Sequence, residues 1–419
     1  MTVRISTLSN GLRVATDTMR EAESVVAGAW VGVGTRHEPQ AANGVAHLVE
    51  HMLFKGTKKR SAFAMSAAIE KNGGAMNAHT TREETAFYAR VLPEDTGLAI
   101  DIIGDMLQRS LFSAKELARE KQVVIQEIGR DLDSPEEHTF DLMYALAFPK
   151  QKIGRPILGS AKTIAKLPRE AVTHYVRNYY HAGNMVLVAA GKIEHDEFVA
   201  LAQKHFGKLP PGKKPRHEKA RLHSGMKRAA KEIEQLHLIL AFPGPSLYSR
   251  DIHGAQLLSI LLGGSASSRL FYKIREKRGL VYTISSSHNA FLDTGLFQIY
   301  AGTDPARVGE LIPVTCNELL DVTHNVSTEE LDRAKAQSRA DMLMGQESVM
   351  RRADNLGHHL LTFDRVIPPE ETLKELMAIN ETDVQNLARR LFSRRPIVTA
   401  LGPLDNLEDY KAIAARLKP

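Results

Sequence analysis

Short apolar runs alternate with longer amphipathic stretches along the whole chain, which predicts strands interleaved with helices. Val3 to Val14 reads as strand sequence with a turn at Asn10-Gly11. Ser24 to Val33 is an apolar strand leading to a helix through His47. A second helix from Phe63 to Lys71 and a strand pair from Ala75 to Val91 follow. The apolar stretches, such as Met185 to Ala190, have strand length, and none reaches the ~20 residues needed to cross a bilayer.

The second half repeats this order of elements. Leu236 to Phe242 is the strand, Ile252 to Leu262 the helix, Ser268 to Lys277 the second helix and Val281 to Tyr300 the strand pair. Ser113-Ala114-Lys115-Glu116 and Ser327-Thr328-Glu329-Glu330 are matching capping boxes, each opening a long helix. Both halves close with a short apolar strand ending in glycine, Val186 to Gly191 and Ile397 to Gly402. Between them, Leu209-Pro210-Pro211-Gly212-Lys213-Lys214-Pro215 joins helix breakers to like charges, the signature of a boundary. The expected division is 1-208, a basic linker over 209-231, and 232-419. Hairpins mixed with crossovers predict two homologous α+β domains, each a mixed, largely antiparallel sheet packed with helices.

Composition narrows the class. With 419 residues, 43% hydrophobic and 25% charged, the chain is globular and too long for one ordinary core. Its single cysteine, Cys316, excludes an intrachain disulfide and a thiolate metal cluster within one chain. The net charge of +6 raises nucleic acid as a partner, but the basic residues gather between Lys208 and Lys231 without interleaved aromatics, which reads as a solvated linker. Strand sequence begins almost at once, with neither a signal-peptide succession nor an Arg-rich leader, so a cytoplasmic chain without membrane spans is expected.

The residues that carry chemistry lie in the first half. In His47-Leu48-Val49-Glu50-His51 the two imidazoles, four positions apart on a helix, leave the same face and can grip one ion, with Glu50 beside them. Zinc favours such ligands, and a catalytic site uses three protein ligands with a fourth position for water. A third ligand is therefore required. Glu120 and Glu127, two turns apart on the helix opened by Ser113, share a face flanked by Val123, Val124 and Ile128, and a carboxylate on a partly apolar face needs a partner. Asn43 is the expected N-cap of the histidine helix and Gly56 its stop.

These stretches, His47 to Thr57 and Glu120 to Ile128, resemble the inverted zinc peptidases of the pitrilysin and insulinase family, whose motif runs His-x-x-Glu-His. Glu127 stands 76 positions after His51, which agrees with that family. The likeness spans essentially the whole chain and is strongest to small two-domain members and to the catalytic subunit of mitochondrial processing peptidase. It implies one Zn²⁺ per chain on His47, His51 and Glu127, with Glu50 activating water and Glu120 orienting a ligand. The matching position of the second half, Gly254-Ala255-Gln256-Leu257-Leu258, has no ligands, so no metal is expected there.

The same resemblance gives the second half a different task. Arg275 and Tyr282 match the family's arginine and tyrosine pair, donors for the oxyanion that forms on a peptide carbonyl. In larger members this pair faces the zinc domain from the other half of a closed shell. For a chain of this length the implication is half of a clamshell and a homodimer, each active site completed by the partner chain. Ala75-Met76-Asn77-Ala78 resembles the edge strand to which an extended peptide adds, with Asn77 and Ala78 as substrate contacts. Phe54 matches the wall of the pocket after the cut, and Glu137 with Asp141, i and i+4 on a helix begun by Ser134-Pro135, matches an arginine site before it. The expected activity is zinc metalloendopeptidase cleavage of unstructured peptides, with arginine preferred near the cut. The alternative is a non-catalytic binding or scaffolding subunit of the same family.

Overall fold

The computed structural model describes residues 2–418 and resolves into two compact units. The first takes Met1–Arg130, Arg155–Glu218 and Leu343–Pro368; the second takes Asp131–Gly154, Lys219–Met342 and Pro369–Pro419.

The first unit is built on six strands, β1 (Thr2–Thr7), β2 (Arg13–Thr18), β3 (Val25–Val31), β4 (Ala75–Thr80), β5 (Thr85–Val91) and β6 (Met185–Gly191), in the sheet order β1-β2-β6-β3-β5-β4. All neighbours are antiparallel except β2 and β6. β3 sits inside the sheet and is buried along its full length, which is why it reads as an unbroken apolar run. Val25, Ala27, Ala29 and Val31 point to one face. There they meet residues of α1 (Val45–Leu53), α2 (Ala62–Glu70) and α3 (Thr96–Arg109), including Leu48, Val49, Met52, Met65 and Ile103. α4 (Ala114–Asp133) adds Leu117, Val124 and Ile128 to the same core.

On the opposite face of β3, Val26 and Trp30 need a cover as well. It comes from far along the sequence, from helix Val349–Phe363, which contributes Ala353, Leu356 and Leu360. The approach is close: a Cβ at Gly357 would lie 2.5 Å from the Trp30 ring.

The second unit holds β7 (Gly225–Ala230), β8 (Leu236–Gly244), β9 (Val281–Ala290), β10 (Gly295–Thr303) and β11 (Ile397–Gly402), in the order β7-β11-β8-β10-β9. This repeats β2-β6-β3-β5-β4 strand for strand, with β7 and β11 as the one parallel pair. Both units are mixed α+β structures from one duplicated plan. One face of this sheet packs Leu240, Phe242, Leu257 and Leu261 in its core. The other, with Ile239, Ala241 and Ile397, is covered by α5 (Pro135–Ala147) through Met143, Tyr144 and Ala147. Each sheet thus borrows a covering helix from the other half of the sequence.

Three local expectations change. The stretch read as linker, 209–231, is free of helix and strand only as far as 224, because Gly225–Ala230 forms β7. Lys227 and Arg228 are exposed on this outer strand, and charge on a sheet edge resembles linker sequence. Over Ser268 to Lys277 the expected helix is wound as a π turn at Phe271–Glu276, closed by Lys277 N donating to Tyr272 O at 2.9 Å. The Ser327 box is reciprocal, whereas at Ser113 the hydroxyl accepts from Glu116 N at 3.2 Å.

Candidate metal centre

The first turn of α1 is held from outside the helix. Glu38, fully buried, accepts from Gly44 N at 2.8 Å and Asn43 Nδ2 at 2.8 Å on one oxygen, and from Ala46 N at 2.7 Å on the other. Asn43 therefore does not cap the helix: its amide donates to Glu38 and to Pro156 O, and the N-cap is Gly44. Glycine is required there, since φ is +93° and a Cβ would stand 2.5 Å from Leu158 O. Burial pushes the Glu38 carboxyl up to about 7, while the three N–H donors pull it down. Gly56, at φ +110°, ends the run three residues past the helix.

With α1 fixed, Leu48, Val49, Met52 and Leu53 face the core, and His47, Glu50 and His51 are left half-buried on the other side. His47 Nε2 lies 3.8 Å and His51 Nε2 3.5 Å from the same oxygen of Glu127 on α4. One ligand atom from each of the three residues falls within 4.8 Å of the other two. A tetrahedral zinc with bonds of ~2.0–2.1 Å separates its ligands by about 3.4 Å, so the spacing suits that ion. The donors suit it too. Burial, reinforced by the neighbouring His51, pulls the His47 imidazole down to about 4, which leaves it neutral at pH 7 with a lone pair to give.

Seven residues earlier on α4, Glu120 is 5% exposed. One oxygen pairs with His51 Nδ1 at 3.1 Å and the other with Lys55 Nζ at 2.9 Å. That bond sets the His51 tautomer and turns Nε2 toward Glu127, and Lys55 offsets the cost of burying the carboxylate. Glu50 accepts a hydrogen bond from the Thr80 hydroxyl at the end of β4, and burial raises its pKa.

The remaining residues singled out in the sequence divide between the units. In the first, Asn77 and Ala78 lie on β4, the edge strand, which pairs with β5 on one side. Asn77 is exposed, and its side-chain oxygen accepts from Ala78 N at 2.8 Å. Phe54 packs on the core beside Phe87, ring centroids 6.4 Å apart. In the second unit, Arg275 is exposed in the π turn with its guanidinium 4.8 Å from the Phe271 ring, and Tyr282 is 60% exposed on the edge strand β9. Glu137 and Asp141 lie one turn apart on α5, the first exposed and the second half-buried. Lys55, Thr80 and Glu38 are contributors that the sequence reading passed over. Lys55, four positions after His51, carried a spacing signal; the others meet α1 from distant segments.

Comparison with known proteins bears on this geometry. The description of the insulinase family, peptidase family M16, matches residues 13–161, and that of the peptidase M16 inactive domain matches residues 166–338. A Rickettsia felis protein named an uncharacterized zinc protease is 37% identical over 402 residues, covering 96% of this chain and 98% of its own length. Among solved structures, a protease from Helicobacter pylori superposes with a TM-score of 0.88 at 21% identity, over 96% of this chain and 100% of that one. A Pseudomonas fluorescens protein described as a peptidase M16 inactive domain gives 0.88 at 20% identity, over 96% and 98%. At such identities the two structures speak for the fold alone. The identity to the Rickettsia protein, which runs almost end to end, places this chain in the insulinase family of zinc proteases, peptidase family M16.

Proposed function

We propose that the chain is a zinc metalloendopeptidase that hydrolyses extended, unstructured peptides, with His47, His51 and Glu127 as ligands of one zinc ion. The observation that carries this reading is the meeting of three ligand atoms from α1 and α4 beside the Glu50 carboxylate. Zinc in that position supplies Lewis-acid charge for a peptide carbonyl and acidifies water. Glu50 takes the proton of the attacking water on its carboxylate and returns it to the leaving amine. Thr80 fixes the direction of that carboxylate by donating to it, and Glu120 fixes the ring of His51. The peptide lies along the free edge of β4, paired through its backbone and contacting Asn77 and Ala78, with Phe54 beside the residue after the cut.

Glu137 and Asp141 receive an arginine before the cut. Arg275 and Tyr282 come from a second copy of the chain and donate to the oxyanion. Their exposure leaves both side chains free to act on a partner's substrate. A mixed dimer of a Glu50→Gln chain with a Tyr282→Phe chain is then expected to regain one working centre of two. Activity no higher than in either parent dimer counts against completion in trans.

A pool of mixed peptides, digested by the purified chain with and without chelator and sequenced, tests the main reading. Chelator-sensitive cleavage enriched for arginine before the cut is expected. Cleavage without that enrichment removes the arginine site and keeps the peptidase. No cleavage by the zinc-loaded chain favours the second reading, a non-catalytic member of the family. The match of residues 166–338 to a domain described as inactive gives that reading its support.

A further inference from the structure

The first unit brings together a second group of metal-ligand type. His79, Glu84 and Asp354 each offer one ligand atom, and these three atoms lie within 4.8 Å of one another. His79 and Glu84 flank the turn between β4 and β5; Asp354 reaches them from helix Val349–Phe363. His79 Nε2 stands 3.9 Å from Asp354 Oδ1, close to the 3.8 Å between His47 and Glu127 at the first centre.

Both carboxylates are already aimed by neighbouring side chains. Trp30 Nε1 donates to Asp354 Oδ1 at 3.0 Å, and His358 Nδ1 pairs with Glu84 Oε2 at 3.0 Å. Outer partners of this kind orient ligating carboxylates in metal sites and leave their other lone pairs for the ion. The frame behind them is packed: Trp30 is fully buried and stacks on Tyr88 at 6.2 Å, and the His79 ring lies 6.1 Å from the same Tyr88 ring. The set is one imidazole and two carboxylates, half-buried, which suits a divalent transition ion with mixed nitrogen and oxygen ligands better than calcium or magnesium.

We propose that His79, Glu84 and Asp354 form a second divalent-cation site, taking an ion of the zinc class, which ties the β4–β5 turn to helix Val349–Phe363. Side chains alternate along a strand, so an ion held by His79 grips one face of β4 while Thr80 presents its hydroxyl to Glu50 from the other. The ion therefore stiffens the strand that orients the Glu50 carboxylate. Binding at this site does not depend on peptidase activity.

The test is zinc stoichiometry by equilibrium dialysis of the full chain after chelator treatment, at free zinc held by a metal buffer. Wild type is expected to bind two ions, H47A/H51A one, and H47A/H51A carrying H79Q and D354N none. Asp354→Asn keeps an acceptor for Trp30, and thermal melting of each variant verifies folding. If the fourfold variant does not fold, H79Q alone must bind one ion where wild type binds two. A chain without the first histidine pair that retains no zinc, or that retains it unchanged after H79Q and D354N, overturns the proposal. Since the reading uses a variant without the first centre, its failure is separate from failure of the peptidase reading.

Discussion

Glu50→Gln is expected to lower kcat by roughly 10²–10⁴, the usual contribution of a positioned acid–base group, with zinc still bound. Glutamine has the same shape and its amide oxygen can still accept from Thr80, so the position of α1 and the three ligand atoms should be kept. What it cannot do is take a proton. The ordinary consequence of removing a side chain next to a metal, loss of the metal, is thereby separated from loss of the base. Peptide turnover in the chelator-sensitive assay and zinc content by atomic absorption are the two measurements. Turnover near wild type contradicts the role given to Glu50, and loss of zinc together with turnover leaves the ligand geometry, not the base, as the reason.

The duplicated plan was legible because each half carries its own apolar strand runs and capping boxes, and both sheets follow one strand order. What periodicity could not supply was the covering of each sheet. Nothing in the sequence of α5 distinguishes packing on β3 from packing on β8, because Met143, Tyr144 and Ala147 make an apolar face that either sheet would accept. The same holds for Leu356 and Leu360, which cover Trp30 from more than 300 positions away in the chain. A hydrophobic stripe states that a face is buried and not against what.

At the site, the local part was readable and the supporting part was not. His47 and His51 share a face by helical spacing, and Glu120 and Glu127 do so by the same rule, so the four side chains that meet were all found. Asn43 misled because asparagine ahead of an apolar run is a cap signal, and a carboxylate from outside the helix satisfies the same donors. Thr80 and the group of His79, Glu84 and Asp354 depend on pairing between a hairpin, a helix and α1, which no spacing records.

Glu38→Ala is expected to cost the first unit several kcal/mol, since a buried donor deprived of its acceptor costs about 1–3 kcal/mol and Gly44 N and Ala46 N are both left so. Asn43 Nδ2 loses one partner and keeps Pro156 O. The readout is built in: Trp30, the single tryptophan, is fully buried in β3, so its fluorescence follows unfolding of this unit. Glu38→Gln should fall between the two, because an amide oxygen serves one donor while the amide nitrogen faces the other. The pair of variants also separates charge from packing. Burial holds the Glu38 carboxyl at about 7, above its ordinary value of 4.5. A carboxyl raised on folding gives stability that is full below the unfolded pKa and is lost as pH rises through the folded one. Wild-type stability, taken relative to Glu38→Gln, should therefore decline between about pH 4.5 and 7. A difference that stays flat between about pH 4.5 and 7 means that the carboxylate is ionised across that range, held so by the N–H groups at the start of α1. In either case His47, the third residue of α1, loses its anchor in Glu38→Ala, and zinc affinity at the first centre should fall with stability.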